Sequence, residues 1–342
     1  MPELFLTIFF ISILLIFLGS GVWVAISMVG VSAIGMLIFT TRPVGDAMAT
    51  TIWGTSSSWT LTALPLFVWM GEILYRTKLS ENLFKGLAPW MSRLPGGLIH
   101  VNVVGCALFA AISGSSAATV ATVGKMSIPE LRKRKYPEKL LLGSLAGSGT
   151  LGLLIPPSII LIIYGVTVQE SIAKLFIAGI IPGIMIAIFF MLYVISWSIL
   201  NKESMPQIKE RFSFSKKIKD SIQLIPVIVL ITSVIGSIYV GVATATEAAS
   251  LGVVGALILS FFQKSLNKET FKLSLLGATK TSCMIAFILA GSSFLALAMG
   301  FTGLPRNLAI WINEMNLSPY VLIFVLTIFY IILGMFLDGI SA

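Results

Sequence analysis

Apolar runs of roughly 20 residues, set apart by short polar and basic stretches, dominate this chain. They lie near 4–18, 22–40, 60–76, 98–124, 140–166, 173–200, 221–240, 245–262, 281–299 and 318–342. A helix needs about 20 apolar residues to cross a hydrocarbon core of about 30 Å, so the pattern predicts an all-α polytopic membrane protein. Residues 79–95 differ. They mix Trp90 and Met91 with Lys85 and Arg93 and predict an amphipathic arm lying at the membrane surface.

One run does not fit a single crossing. Residues 98–124 have basic residues on both sides, Arg76, Lys78, Lys85 and Arg93 before and Lys125 after. Their middle reads Ala111-Ile-Ser-Gly-Ser-Ser-Ala-Ala-Thr119. A re-entrant hairpin with its tip at Ser113–Ser116 keeps both flanks on one side. Irregular backbone at that depth is tolerated where it is buried in protein or lines a cavity.

Composition sharpens the class. Of 342 residues, 57% are hydrophobic and 11% charged, where a soluble domain carries about 25% charged residues. The net charge of +9 is no nucleic-acid signal, because the cations sit in short connections between apolar runs. Lys125, Arg132, Lys133, Arg134, Lys135 and Lys139 form one cluster; Lys202, Lys209, Arg211, Lys216, Lys217 and Lys219 a second; Lys264, Lys268, Lys272 and Lys280 a third. The positive-inside rule places all three in the cytoplasm, and an even number of runs separates each pair. Cys106 and Cys283 lie inside apolar runs and form no disulfide or metal pattern. Residues 1–18 lack a basic start and a small-residue cleavage site, and read as the first spanning helix.

The chain also repeats itself. Thr77, Leu79, Asn82 and Leu83 recur as Thr302, Leu304, Asn307 and Leu308, and the same offset of 225 relates Gly114, Ser116 and Ala117 to Gly339, Ser341 and Ala342. Gly21, Val22, Ala25, Gly35 and Leu37 recur 220 residues on as Gly241, Val242, Ala245, Gly255 and Leu257. An odd number of crossings precedes the second copy, so it enters from the opposite side, as in the inverted repeats of secondary transporters. The expected organisation is a first repeat over 1–202, a cytoplasmic linker over 203–220 and a second repeat over 221–342. The first repeat holds helices within 1–76, the arm 79–95, the hairpin 98–124, a broken helix 140–166 and a helix 173–200. The second repeat ends at the tip of its own hairpin, Asp338-Gly-Ile-Ser341, and reads as cut short there.

Three constellations can carry chemistry. The hairpin tip, Ser113-Gly114-Ser115-Ser116 with Thr119 and Thr122 following, offers hydroxyls and freed carbonyls, hard oxygen ligands suited to Na⁺; the competing reading is close helix packing through small residues. Gly147-Ser-Gly149-Thr150-Leu-Gly152-Leu-Leu-Ile155-Pro156-Pro157-Ser158 interrupts a spanning run with three glycines and two prolines. A helix broken there exposes carbonyls for a cation and amides for an anion. Glu247, after Thr244 and Thr246 at the start of an apolar run, is either a helix cap or a coupling residue, and the cap is the favoured reading. Asp338, at the second tip, reads as functional, and His100 as interfacial.

Five stretches resemble the large permease subunit of tripartite ATP-independent periplasmic (TRAP) transporters: Leu66-Phe-Val-Trp-Met-Gly71, Phe109–Thr119, Gly149–Ser158, Thr246-Glu-Ala-Ala249 and Phe336-Leu-Asp-Gly339. The resemblance implies an inverted-repeat, elevator-type transporter with a scaffold and a moving transport domain, built from re-entrant hairpins and broken helices. It implies no catalysis and no cofactor, with Na⁺ as coupling ion, in the bacterial inner membrane. One sodium site is implied at Ser113, Gly114, Ser115 and Ser116 with Gly149, Thr150, Gly152, Ile155 and Pro156, and another at Asp338, Gly339 and Ser341. Ser116, Thr119, Pro157, Ser158 and Asp338 are the implied substrate contacts, and Thr246 and Glu247 are structural or coupling residues. The implied partners are a small four-helix membrane subunit and a periplasmic binding protein, and the implied cargo is a small carboxylate such as a C4-dicarboxylate or sialic acid.

A stand-alone sodium/dicarboxylate symporter of the same architecture is the nearest competing reading. An intramembrane protease is remote: Asp338 has no second carboxylate at depth, and His100 is at the wrong level for Ser115.

Overall fold

Among the described residues the apolar runs are mainly helical, because backbone polar groups in lipid have to be satisfied within the segment. The computed structural model describes residues 2–77, 79–206 and 213–336. The helices, in chain order, are α1 (Pro2–Gly19), α2 (Val24–Phe39), α3 (Val44–Ser56), α4 (Ala63–Tyr75), α5 (Leu79–Met91), α6 (Ile99–Ser113), α7 (Ser116–Lys133), α8 (Glu138–Gly149), α9 (Ile159–Val168), α10 (Ile172–Leu200), α11 (Phe214–Ser221), α12 (Ile225–Tyr239), α13 (Ala245–Phe262), α14 (Lys268–Phe301), α15 (Leu304–Glu314) and α16 (Pro319–Phe336). Among the described residues there is no strand. The fold class is therefore the expected all-α polytopic one. Lys78, Lys209, Arg211, Asp338, Gly339 and Ser341 lie outside the described residues.

The expected interruptions are present. The run 98–124 is two helices, α6 and α7, meeting at Gly114 and Ser115. The run 140–166 is α8, a 3₁₀ turn over Thr150–Leu153, an irregular stretch and α9. At 1.5 Å per residue, α8 and α9 are about 18 and 15 Å long, so each covers roughly half a bilayer core and the break falls between them.

The structure also departs from the sequence reading. The third basic cluster is not a loop: Lys268, Lys272 and Lys280 lie on α14, whose 34 residues make one helix of about 51 Å. No proline interrupts it. Likewise α7 continues to Lys133, well past 124, with Pro129 inside it. The expected linker contains α11, and α3 and α15 are helices within stretches that no apolar run covered.

Contacts divide the chain into two units, one of residues 1–59 and 283–342, the other of residues 60–282. In the first, Phe10, Val31 and Leu304 form one buried cluster and Met36, Phe294 and Ala298 another. Small residues allow the approach: a Cβ on Gly35 would lie 2.6 Å from the Phe10 ring, and one on Gly291 2.8 Å from the carbonyl of Ala25.

The second unit is organised around α4, whose buried face includes Leu64, Phe67, Met70, Ile73 and Leu74. A Cβ on Gly252 of α13 would meet Met70 Sδ at 2.5 Å, and Phe67 packs edge-on against Phe176 of α10 at 6.0 Å. The amphipathic α5 lies against α11, where Trp90 Nε1 donates to Ser221 Oγ at 2.7 Å and Lys217 Nζ sits 5.1 Å above the Trp90 ring.

Two stretches matched in the sequence share a local device. The amide of Gly21 donates to Leu18 and that of Val22 to Phe17; the amide of Gly241 donates to Ile238 and that of Val242 to Ser237. Both glycines have left-handed φ, 80° and 76°. These are paired Schellman ends, which close α1 and α12 at equivalent positions.

Candidate functional site

At the hairpin tip, α6 ends at Gly114 in the left-handed conformation, φ 59°, with its amide donating to Ala110 O at 3.0 Å. Ser115 then caps α7, accepting from the amide of Ala118 at 3.4 Å. The Ser115 carbonyl is held from three directions, by the Thr119 amide at 3.0 Å, the Thr119 hydroxyl at 2.7 Å and the Ser113 hydroxyl at 3.3 Å. Ser113 Oγ and Thr119 Oγ1 are 3.0 Å apart, and both residues are buried. This knot of short side chains gives an otherwise irregular turn one geometry.

At the helix break, the 3₁₀ turn tightens the end of α8, and Leu154 and Ile155 both donate to Leu151 O. Pro156 and Pro157 are buried and supply no amide donor. Ser158, fully buried, caps α9 by accepting from the Leu161 amide at 3.5 Å, while its hydroxyl donates to Leu153 O at 2.6 Å.

Tip and break touch. The amide of Ile159 donates to Gly114 O at 3.2 Å. A Cβ on Gly114 would lie 2.5 Å from Pro157 O, and one on Gly152 2.9 Å from Ser116 N. Gly149 faces Val120 and the carbonyl of Ser116. Four helix ends therefore converge: the carbonyl ends of α6 and α8 and the amide ends of α7 and α9. Carbonyl ends favour a cation and amide ends an anion, so one region can receive both. Among the described residues nothing hydrogen-bonds to the hydroxyl of Ser116, which is half-buried.

Of the residues singled out in the sequence, Ser113, Gly114, Ser115, Ser116, Thr119, Gly149, Gly152, Pro156, Pro157 and Ser158 come together here. Thr150 is exposed and its hydroxyl turns back to Gly147 O at 2.6 Å. Ile155 packs toward Gly183 of α10. Thr246 and Glu247 are elsewhere, at the start of α13: the amide of Thr244 donates to Glu247 Oε2 at 2.8 Å, and the amide of Glu247 donates to Thr244 Oγ1 at 3.3 Å. This is a closed capping box.

His100 lies in the first turn of α6. It is fully buried, and Nε2 lies 2.7 Å from Pro95 O. The tight turn through Gly96, φ 99°, folds the preceding loop back over the first turn of α6 and covers the ring.

Several further positions shape the site. A Cβ on Gly71 of α4 would lie 2.9 Å from Ser113 Cα. Gly179 and Gly183 form a notch on α10, where a Cβ would meet Leu154 O at 2.6 Å and Ile155 Cγ1 at 2.8 Å. Their i, i+4 spacing is the one available sequence signal. Asn102, buried on α6, donates to Leu141 O at 3.3 Å and Ser144 Oγ at 3.0 Å and so ties α8 to the hairpin.

Comparison with known proteins gives a consistent picture. Residues 10–342 match the family described as tripartite ATP-independent periplasmic transporter, DctM component. The chain is 31% identical over 307 residues to the C4-dicarboxylate TRAP transporter large permease protein DctM of Pseudomonas aeruginosa, covering 90% of this chain and 71% of that protein. It is 31% identical to the sialic acid TRAP transporter large permease protein SiaM of Vibrio cholerae, over 95% of this chain and 75% of the relative. It is 29% identical to the isethionate TRAP transporter permease protein DctMQ of Oleidesulfovibrio alaskensis, over 96% of this chain and 51% of the relative.

Proposed function

The chain belongs to the DctM component family of tripartite ATP-independent periplasmic transporters, an integral inner-membrane permease, and from that premise we propose that it carries a small organic anion inward with Na⁺. The convergence of the hairpin tip with the helix break supports this reading most directly. The carbonyl ends of α6 and α8, with hydroxyls of Ser113, Ser115 or Ser116, are a hard oxygen environment suited to Na⁺. The amide ends of α7 and α9, with Ser116, Thr119 and Ser158 beside them, suit a carboxylate. Asp338, Gly339 and Ser341 would contribute the corresponding second site.

The relatives move carboxylates and a sulfonate by their descriptions, so a small anion is the expected cargo here. A tripartite, periplasmic system implies two further components, which we take to be a small membrane subunit and a binding protein that delivers the anion. The recurrence in the sequence 220 residues apart, with the same turn after each copy's helix, supports an internal repeat, and the reading includes its inversion and an elevator movement of the hairpin and broken helix as one body.

The deciding experiment is uptake of candidate carboxylates by the full-length permease with its partners in proteoliposomes, titrated with Na⁺. Ser116→Ala removes at most one ligand, worth about 1–3 kcal/mol, and should raise the half-saturating Na⁺ concentration roughly 5- to 150-fold while sparing the maximal rate. Uptake indifferent to Na⁺ would refute the coupling, and robust uptake by the permease alone would favour a stand-alone symporter.

A further inference from the structure

A cavity of about 1180 Å³ opens within the second unit on the side where α4 and α7 end, away from the hairpin tip. One wall is a single face of α7, presenting Thr122, Lys125, Met126 and Pro129 at helical spacing. Thr122, the lining residue of α7 nearest the tip, is one turn from Thr119, whose hydroxyl is bonded to Ser115 O. The cavity therefore begins one turn from the site and runs outward along α7.

Its lining is cationic. Arg76, Lys85, Lys125, Arg134 and Lys264 face it, against two carboxylates, Glu130 and Asp220. Glu130 is already held by Arg134 at 2.8 Å, and Arg76 by Glu72 at 3.0 Å. Among the described residues no ion pair within 4 Å engages Lys85, Lys125 or Lys264. Unpaired charges of one sign gathered in a cleft focus the field and raise the local concentration of counter-ions. Lys125 is the innermost of these cations along α7 and shares its face with Thr122.

We infer that this cavity is a second, weak anion site, a staging vestibule for the carboxylate on its way out to the cytoplasm, and that Lys125 is the first group to receive it. The inference rests on the carboxylate-import reading for its cargo. It has its own physical basis: an anion leaving four converging helix ends must give up hydrogen bonds before it is fully hydrated. A cation about two and a half turns along α7 from Ser116 lowers that intermediate stage without tightening the inner site. The vestibule thus selects by charge and not by shape, leaving discrimination among carboxylates to the tip.

Two measurements test this, both on the full-length permease with its partners. In proteoliposomes, Lys125→Gln should lower the maximal rate of Na⁺-driven uptake roughly three- to tenfold at low luminal salt, flatten its dependence on luminal salt, and leave half-saturating Na⁺ unchanged. Lys125→Arg should restore most of the rate. A wild-type rate in Lys125→Gln, or equal impairment in Lys125→Arg, overturns the proposal. So does a loss mimicked by omitting anionic lipids from the vesicles, which would make the occupant a headgroup. In detergent without Na⁺, weak binding of succinate, used as the probe, should be abolished by Lys85→Gln with Lys125→Gln. Binding that is absent from the wild type, or that survives the double variant, also overturns it. Succinate binding without any Na⁺-driven uptake would leave the vestibule standing and remove the coupling reading instead.

Discussion

A Cβ placed on Gly152 would stand 2.9 Å from the backbone nitrogen of Ser116, closer than real Cβ atoms come to a backbone atom. The 3₁₀ turn after α8 thus lies directly on the first turn of α7, and glycine is what permits it. The same holds for Gly114 against Pro157 O at 2.5 Å.

These two contacts give a graded prediction. Gly152→Ala should cost about 1–3 kcal/mol by overpacking, and Gly114→Ala about 1–2 kcal/mol from its left-handed φ in addition to the clash. Both proteins should reach the membrane, melt at a lower temperature in detergent and lose most Na⁺-driven uptake. Gly143→Ala, where a Cβ would meet nothing within 4 Å, is the control and should behave as wild type. Wild-type uptake in Gly152→Ala would mean that tip and turn are not held together in the working protein.

Asn102 should matter for stability first. Asn102→Ala removes the two hydrogen bonds its side chain donates to α8 and leaves the one from Ser148 Oγ to its carbonyl. Interhelical bonds of this kind in membrane proteins are worth roughly 0.6–2 kcal/mol in total, so denaturant titration should show a loss of about that size. A variant as stable as wild type would show that the Asn102 side chain does not hold the hairpin to the broken helix.

For α13 the capping geometry separates two roles of Glu247. Thr244→Ala should destabilise by about 0.5–2 kcal/mol, whereas Glu247→Gln keeps a side chain that can still close the box and should retain both stability and Na⁺ dependence. A shift in half-saturating Na⁺ in Glu247→Gln would instead make this carboxylate a coupling group.

Orientation can be read by labelling. With Cys283→Ser as background, since Cys283 is exposed and Cys106 buried, Lys133→Cys should react with an impermeant maleimide only from the cytoplasmic side. Labelling from outside intact cells would invert the topology and move the basic cavity to the other face.

The hairpin and the break were legible in the sequence because their residues are costly anywhere else in a spanning segment. Gly114, Gly152, Pro156 and Pro157 all weaken a helix, and their grouping within apolar runs points to intended irregularity. The Thr244–Glu247 cap was legible for the converse reason, being a local motif independent of tertiary context. Lys268–Lys280 misled because charge density marks loops only on average; without a breaker the helix simply continues past the apolar run. The burial of His100 had no sequence signal, because it depends on the loop turning back at Gly96. Gly71 stood in a recognised stretch, but its place against Ser113, like those of Gly179 and Gly183 against Leu154 and Ile155, depends on parts of the chain far away in sequence.

The bond from Ile159 to Gly114 has a consequence for how the protein is made. During synthesis the hairpin emerges well before α9, and until residue 159 is in place the tip lacks this partner and the wall that covers it. An unsatisfied carbonyl facing hydrocarbon costs several kcal/mol, so the bare hairpin has no stable residence in lipid. It should therefore wait at the insertion machinery, or at the aqueous surface, and be drawn to depth only as the broken helix arrives, so that insertion of residues 99–168 proceeds as a single late event.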